Sequence, residues 1–128
     1  VALAMPVLLV EDNPVNQKVA LMLLQRRGYR VQLAEDGRAA LEAFAHARFS
    51  AILMDMQMPV MDGIEATREI RNMEALRQVA RTPIIAMTAN AMEGDRERCL
   101  EAGMDDYIAK PIRADQLYEQ LQRWVRLG

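Results

Sequence analysis

Three carboxylates, a hydroxyl and an ammonium stand where short apolar runs end. Glu11-Asp12 follow Pro6 to Val10, Asp55 follows Ala51 to Met54, Thr88 follows Ile84 to Met87, and Lys110 follows Tyr107 to Ala109. If these runs are parallel strands of one sheet, the five side chains gather at one rim. Three carboxylates crowded there repel by about 1 to 4 kcal/mol per pair at about 4 Å, so a cation belongs among them. Oxygen donors with no His or Cys nearby suit Mg2+ or Mn2+, which keep several waters and bind through one or two carboxylates plus a phosphate. Asp55 is then placed to attack a phosphoryl group, as carboxylates do in enzymes that form aspartyl-phosphates. The metal and Lys110 would offset charge on the phosphoryl oxygens, and Thr88 would offer one of them a hydrogen bond. Singly, each residue has an ordinary explanation as a turn former, helix cap, dipole partner or solvated end. Their convergence carries the chemical reading.

That convergence depends on alternating strands and helices. Asn13-Pro14 reads as an N-cap with Pro at the first helical position, opening a helix to Arg27 with Gly28 as its stop and with Val15, Val19, Met22 and Leu23 on one face. In the second strand, Arg30 to Ala34, Val31 and Leu33 alternate with Gln32, the pattern of a sheet edge. Asp36-Gly37 turns into a helix with Ala40, Leu41 and Phe44 inward, and the strand to Asp55 follows. The remaining elements are a helix over Ile64 to Leu76, the strand ending at Thr88, a helix from Asn90 to near Gly103, a short strand from Tyr107 to Ala109, and a last helix carrying Leu117, Leu121, Trp124 and Val125. Five strands joined by connections too long for hairpins predict an α/β fold, a doubly wound five-stranded parallel sheet with five helices on its two faces. The five-strand order 2-1-3-4-5 places the second strand at an edge and the ligand crevice beyond the carboxyl ends of strands one and three.

Composition bounds the rest. The 128 residues, 52% hydrophobic, fit one domain over 1–128, with an ordered core from about 5 to 126. Sixteen basic against eighteen acidic residues, a net charge of -2 and no long run of either sign give no polycationic surface for nucleic acid or anionic lipid. Cys99, the one cysteine, cannot form an internal disulfide and reads as a small buried hydrophobe in a reducing, cytoplasmic setting. No run is long enough to span a membrane, and Val1 to Met5 lacks the order of a signal peptide. Met56, Met58 and Met61 read as gap-filling core, His46 as a solvated residue, and Arg26-Arg27 and Arg96 with Arg98 as wet helix faces.

With those residues in place, the sequence resembles the receiver domains of two-component response regulators. VEDNPVNQ (Val10 to Gln17), MDMQMPVMDG (Met54 to Gly63), MTANAM (Met87 to Met92) and KPI (Lys110 to Ile112) match the family's landmarks in order, across essentially the whole chain. The resemblance implies a flavodoxin-like receiver fold with Asp55 as phosphoacceptor. It also implies Mg2+ on Asp12, Asp55 and the backbone carbonyl of Gln57, with Glu11 assisting through water. Thr88 and Lys110 become the phosphoryl-sensing pair and Tyr107 the aromatic rotamer switch, while Gln57 and Asn90 tune phosphate lifetime and a cis bond precedes Pro111. Glu11 stands where many members carry Asp, which bears on the hydration of the metal. The NPVNQ and MTANAM wording is most similar to receivers of hybrid sensor histidine kinases. A histidine kinase transmitter domain or a histidine phosphotransfer domain is then the phosphate donor, and the surface from the fourth helix through the fifth changes its partner preference on phosphorylation. A receiver of this kind is not an enzyme of steady turnover, although it loses its own phosphate; it is either a single-domain regulator or a piece of a longer protein, such as a histidine kinase tethered to the inner membrane.

Three other readings are weighed against this one. A phosphatase using an aspartyl nucleophile carries a second Asp two residues on as general acid, where this chain has Gln57. A flavin or nucleotide module needs a Gly-rich loop after the first strand, where Asn13 to Gln17 stands. A degenerate receiver acting only in docking has no use for the complete set of Glu11, Asp12, Asp55, Thr88 and Lys110.

Overall fold

The computed structural model describes residues 5–56, 61–89 and 93–125. Its elements run β1 (Val7–Val10), α1 (Pro14–Arg26), β2 (Val31–Ala34), α2 (Gly37–His46), β3 (Ala51–Asp55), α3 (Gly63–Arg77), β4 (Ile84–Thr88), α4 (Glu93–Ala102), β5 (Asp106–Ala109) and α5 (Ala114–Trp124). All strand pairs are parallel and the sheet order is β2-β1-β3-β4-β5, as the alternation predicted.

The pleat explains why the three central strands read as unbroken apolar runs. Successive side chains point to opposite faces, and both faces are covered by helices. Leu8, Val10, Ile52, Met54, Ile84 and Ala86 pack with Ala40 and Phe44 of α2, Ala66 and Ile70 of α3 and Cys99 of α4. Val7, Leu9, Ala51, Leu53, Ile85 and Met87 pack with Ala20, Leu23 and Leu24 of α1 and Leu117 and Leu121 of α5. Each such buried Leu or Ile contributes about 1.5 to 3 kcal/mol, so α5 docks mainly through Leu117 and Leu121, both fully buried.

Helix α1 departs from the sequence reading. Ala20, Leu23 and Leu24 face the sheet, while Val15 is 68% and Met22 50% exposed, and Val19 also lies outside the core. The helix is apolar on two faces, and periodicity alone could not choose between them. Leu33 is likewise exposed on the edge strand β2, and Leu41 is only half-buried. Helix α4 begins at Glu93; Asn90, expected to open it, lies outside the described residues. His46 is exposed with its Nδ1 2.9 Å from Glu42 O, Cys99 is buried with its Sγ 3.6 Å from Met56 Sδ, and Arg27 lies over the Tyr118 ring.

An ion network that the sequence did not announce ties the amino ends of β4 and β5 to α3. Arg71 reaches Glu74 at 2.7 Å, Asp105 at 3.0 Å and the Gly103 carbonyl at 2.9 Å, while Glu74 and Asp105 accept the backbone N–H groups of Thr82 and Ile84. Glu74 is buried yet satisfied, the condition under which an interior carboxylate is tolerated.

Candidate functional site

Each functional side chain is delivered by the end of a strand. The Glu11 N–H bonds Ala34 O at 3.0 Å, carrying the ladder one residue past β1 and pulling Glu11 inside the fold at 1% exposure. Its Oε2 accepts from the Asn13 N–H and its carbonyl from Gln17 Nε2 at 2.6 Å. Asn13 Oδ1 in turn caps α1 by accepting from Val15 N and Asn16 N, leaving Asp12 exposed at the rim. Asp55 closes β3 at 2% exposure, and the Met56 N–H bonds Met87 O, holding the chain as it leaves the strand. Asp55 is level with Met87 on β4, so Thr88 stands one residue beyond it on the neighbouring strand. The Lys110 N–H bonds Thr88 O at 2.7 Å, and the peptide to Pro111 is cis, as the resemblance implied.

The five residues therefore meet at one rim. Lys110 Nζ lies 2.9 Å from Asp55 Oδ1 and 3.1 Å from Glu11 Oε1, joining two buried carboxylates. Glu11, Asp12 and Asp55 each offer an oxygen, and these oxygens lie within 4.8 Å of one another. A donor set of hard oxygens at that spacing fits a divalent cation such as Mg2+.

Burial, the hydrogen bond with Asp55 and the Asp55 charge together raise the Glu11 pKa to about 7, against the lowering effect of the Asn13 N–H and Lys110. For Lys110 burial opposes the charge, but its bonds and attraction to Asp55 and Glu11 outweigh burial and its pKa is raised. The sign for Glu11 follows from linkage. The folded carboxyl keeps its proton between its ordinary value of 4.5 and about 7 while the unfolded one has lost it, so stability falls as pH rises through that window. In EDTA the unfolding midpoint is expected to drop from about pH 5 to about pH 8, by at most about 3 kcal/mol of stability from this group. Saturating Mg2+ should flatten the trend, because the cation favours the ionised carboxylate. Thermal melts across pH with and without metal check both.

Gly63, the first residue of α3, sits against the phosphoacceptor candidate's own backbone. A Cβ built there would overlap the Asp55 carbonyl oxygen, and the Gly63 N–H bonds Met56 O at 3.3 Å. Backbone cannot yield as a flexible side chain does, so Gly63→Ala is expected to displace Asp55. We expect a loss of about 1 to 3 kcal/mol by denaturant melts, with metal affinity falling alongside.

Tyr107, expected as a switch, is half-buried on β5 against the α2/α3 side of the core, paired with Ala86. Gln57 and Asn90 lie outside the described residues. Sequence reasoning passed over Gly63 and Gln17 as individuals. Gly63 carried a signal, a glycine directly after an Asx cap; Gln17 carried none beyond its place in the first helix.

Residues 7–122 match the family described as the response regulator receiver domain. The chain belongs to that family. As a receiver it is 44% identical over 122 residues to the sensor protein GacS of Pseudomonas syringae pv. syringae, covering 95% of this chain and 14% of that protein. It spans only 5 to 14% of the length of this and the other foremost curated relatives, among them the hybrid signal transduction histidine kinase I of Dictyostelium discoideum. The receiver domain of sensor histidine kinase PA1611 from Pseudomonas aeruginosa PAO1, solved with a magnesium ion in its active-site cleft, is 55% identical with a TM-score of 0.84, covering 94% of this chain and 96% of that one. The receiver domain of Ssk1 from Saccharomyces cerevisiae, co-crystallised with the histidine phosphotransfer protein Ypd1, belongs to a structure matching this chain at 31% identity and a TM-score of 0.92, over 98% of this chain and 91% of that one. The receiver is thus a module of two-component phosphorelay signalling.

Proposed function

We propose that Asp55 is the phosphoacceptor of this receiver, that Glu11, Asp12 and Asp55 hold Mg2+, and that Thr88 and Lys110 read the outcome. The observation that carries this is the buried Asp55–Lys110–Glu11 arrangement inside the acidic triad, at the carboxyl rim where an open parallel sheet binds ligands. When bound, Mg2+ supplies positive charge to the triad and to the phosphoryl oxygens. Asp55 supplies the attacking oxygen: the O–P bond forms as the N–P bond to the donor histidine breaks, and the electron pair leaves with the imidazole nitrogen. Lys110 supplies the countercharge to the phosphoryl group arriving on Asp55, its ammonium already 2.9 Å from the acceptor carboxylate. Thr88 turns toward the phosphoryl group, Tyr107 follows into the space beside β4, and the surface from α4 through α5 shifts between two packings.

In this reading Gln57 contributes a backbone carbonyl to the metal, and Gln57 and Asn90 set how fast the phosphate is lost; Mn2+ substitutes for Mg2+. Incubating the domain with phosphoramidate and Mg2+ and reading intact mass tests the proposal. One phosphoryl increment, acid-stable and released by hydroxylamine, is expected; no increment, or one resistant to hydroxylamine, would count against Asp55.

The donor we infer is a phosphohistidine on a kinase transmitter or histidine phosphotransfer domain, with a hybrid sensor kinase as the parent and the cytoplasm as its compartment. Among the described residues no helix is long and apolar enough to cross a membrane. The exposed face of α1 supports a protein donor. Val15, Val19 and Met22 form an apolar stripe that starts beside Asp12 at the acidic rim, and contiguous exposed apolar surface next to a reactive group marks a docking face. Val15→Asp should leave stability within about 0.5 kcal/mol and phosphoramidate labelling unchanged, yet slow transfer from a phosphorylated histidine phosphotransfer protein about ten-fold or more. Single-turnover transfer assays with both donors make the comparison.

A further inference from the structure

A cavity lies at the pole opposite the acidic rim, at the amino ends of β3 and β4. It encloses about 240 Å³, and Met5, Arg48, Phe49, Arg81, Thr82 and Trp124 contribute to its walls. Among the described residues two arginines line it and no carboxylate does. Arg81 is committed to Asp105 at 2.9 Å and to Gly103 O at 2.9 Å. Arg48 pairs with no carboxylate among the described residues; its guanidinium reaches only Ala80 O, at 3.3 Å. Thr82 is 2% exposed, and its Oγ1 has no hydrogen-bond partner among the described residues even though its N–H is bonded to Glu74. Trp124 spends its Nε1 on Asp106 at 3.1 Å, so what it brings to the cavity is apolar ring surface.

We propose that this cavity binds a small organic anion built of one planar ring and one carboxylate. Sites for drug-sized molecules begin near 300 Å³, roughly, so the enclosed volume suits a single ring. Trp124 covers the ring, and the buried Phe49 lies behind the wall. Arg48 receives the carboxylate, since a guanidinium fork matches two carboxylate oxygens. The pocket shares no residue with the acidic rim and stands independently of the phosphoacceptor assignment.

The chain's one tryptophan lines this pocket and gives it a fluorescent probe. The test titrates the full chain with sodium benzoate, benzyl alcohol and acetate, reading Trp124 fluorescence and amide shifts. Benzoate should saturate with shifts centred on Ser50, Ala80 and Thr82, and benzyl alcohol and acetate should each bind about ten-fold more weakly or worse. Arg48→Gln, a change at an exposed side chain, should cost about ten-fold in benzoate affinity at an unchanged melting temperature. Thr82→Val, which removes a hydroxyl buried behind the wall, should leave benzoate affinity unchanged while the melting temperature holds or rises, and Asp55→Asn should bind as the wild type does. A response that does not saturate, equal binding of benzyl alcohol, shifts centred on Asp55, or full affinity in Arg48→Gln overturns the assignment.

Discussion

Asp55→Asn is expected to take up no phosphoryl group from phosphoramidate or from a phosphorylated histidine partner, reducing hydroxylamine-labile labelling to background. The amide keeps the shape of the carboxylate and can still accept from Lys110, 2.9 Å away, so the rim should stay assembled. What it loses is a nucleophilic oxygen and one negative charge. The charge makes a second, separable prediction. With one of three clustered carboxylates neutralised, mutual repulsion falls and the metal-free domain should be at least as stable as the wild type, while Mg2+ affinity drops on the order of ten-fold or more. A fold that survives, a metal that binds weakly and a label that vanishes would together assign the acceptor. Labelling that persisted at the wild-type level would move it elsewhere, and Asp12, the exposed carboxylate of the triad, would be the first place to look.

Much of this site was legible because its residues sit at strand ends, and strand ends are readable when a strand is buried on both faces. β1, β3 and β4 are uninterrupted apolar runs closed by a polar residue, and each boundary fell within a residue or so of the structure. Helix α1 was harder for the opposite reason. Val15, Val19 and Met22 obey the same helical spacing as Ala20, Leu23 and Leu24, and hydrophobic spacing says that a stripe exists without saying what covers it. The Arg71–Glu74–Asp105 network was invisible because it joins α3 to Asp105, 34 positions from Arg71, and none of its members stands out locally. Gly63 shows the remaining limit. The sequence places it after a cap, but only coordinates reveal that the space beside it is taken by the Asp55 carbonyl.

Replacing Lys110 should have the largest effect on stability, and its pH dependence identifies the cause. Lys110 is the cation for two carboxylates whose side chains are 2% and 3% exposed, so Lys110→Met leaves both without their ion pair. Removing one partner of a buried pair ordinarily costs about 3 to 5 kcal/mol. Glu11 can moderate that cost by holding a proton, and without the ammonium its pKa, already about 7, should climb further. The loss is therefore expected to be smaller near about pH 5, where Glu11 is protonated in both proteins and only the Asp55 ion pair is given up, and to approach the full figure near about pH 8. Mg2+ should restore most of it, since a divalent ion in the triad answers the same repulsion that Lys110 answers in its absence. Denaturant melts at the two pH values, with Mg2+ and with EDTA, give four numbers for each protein. A pH-independent loss that metal did not repair would mean that Lys110 acts through the packing of its alkyl chain. In that case the charge balance drawn here for the rim would have to be abandoned.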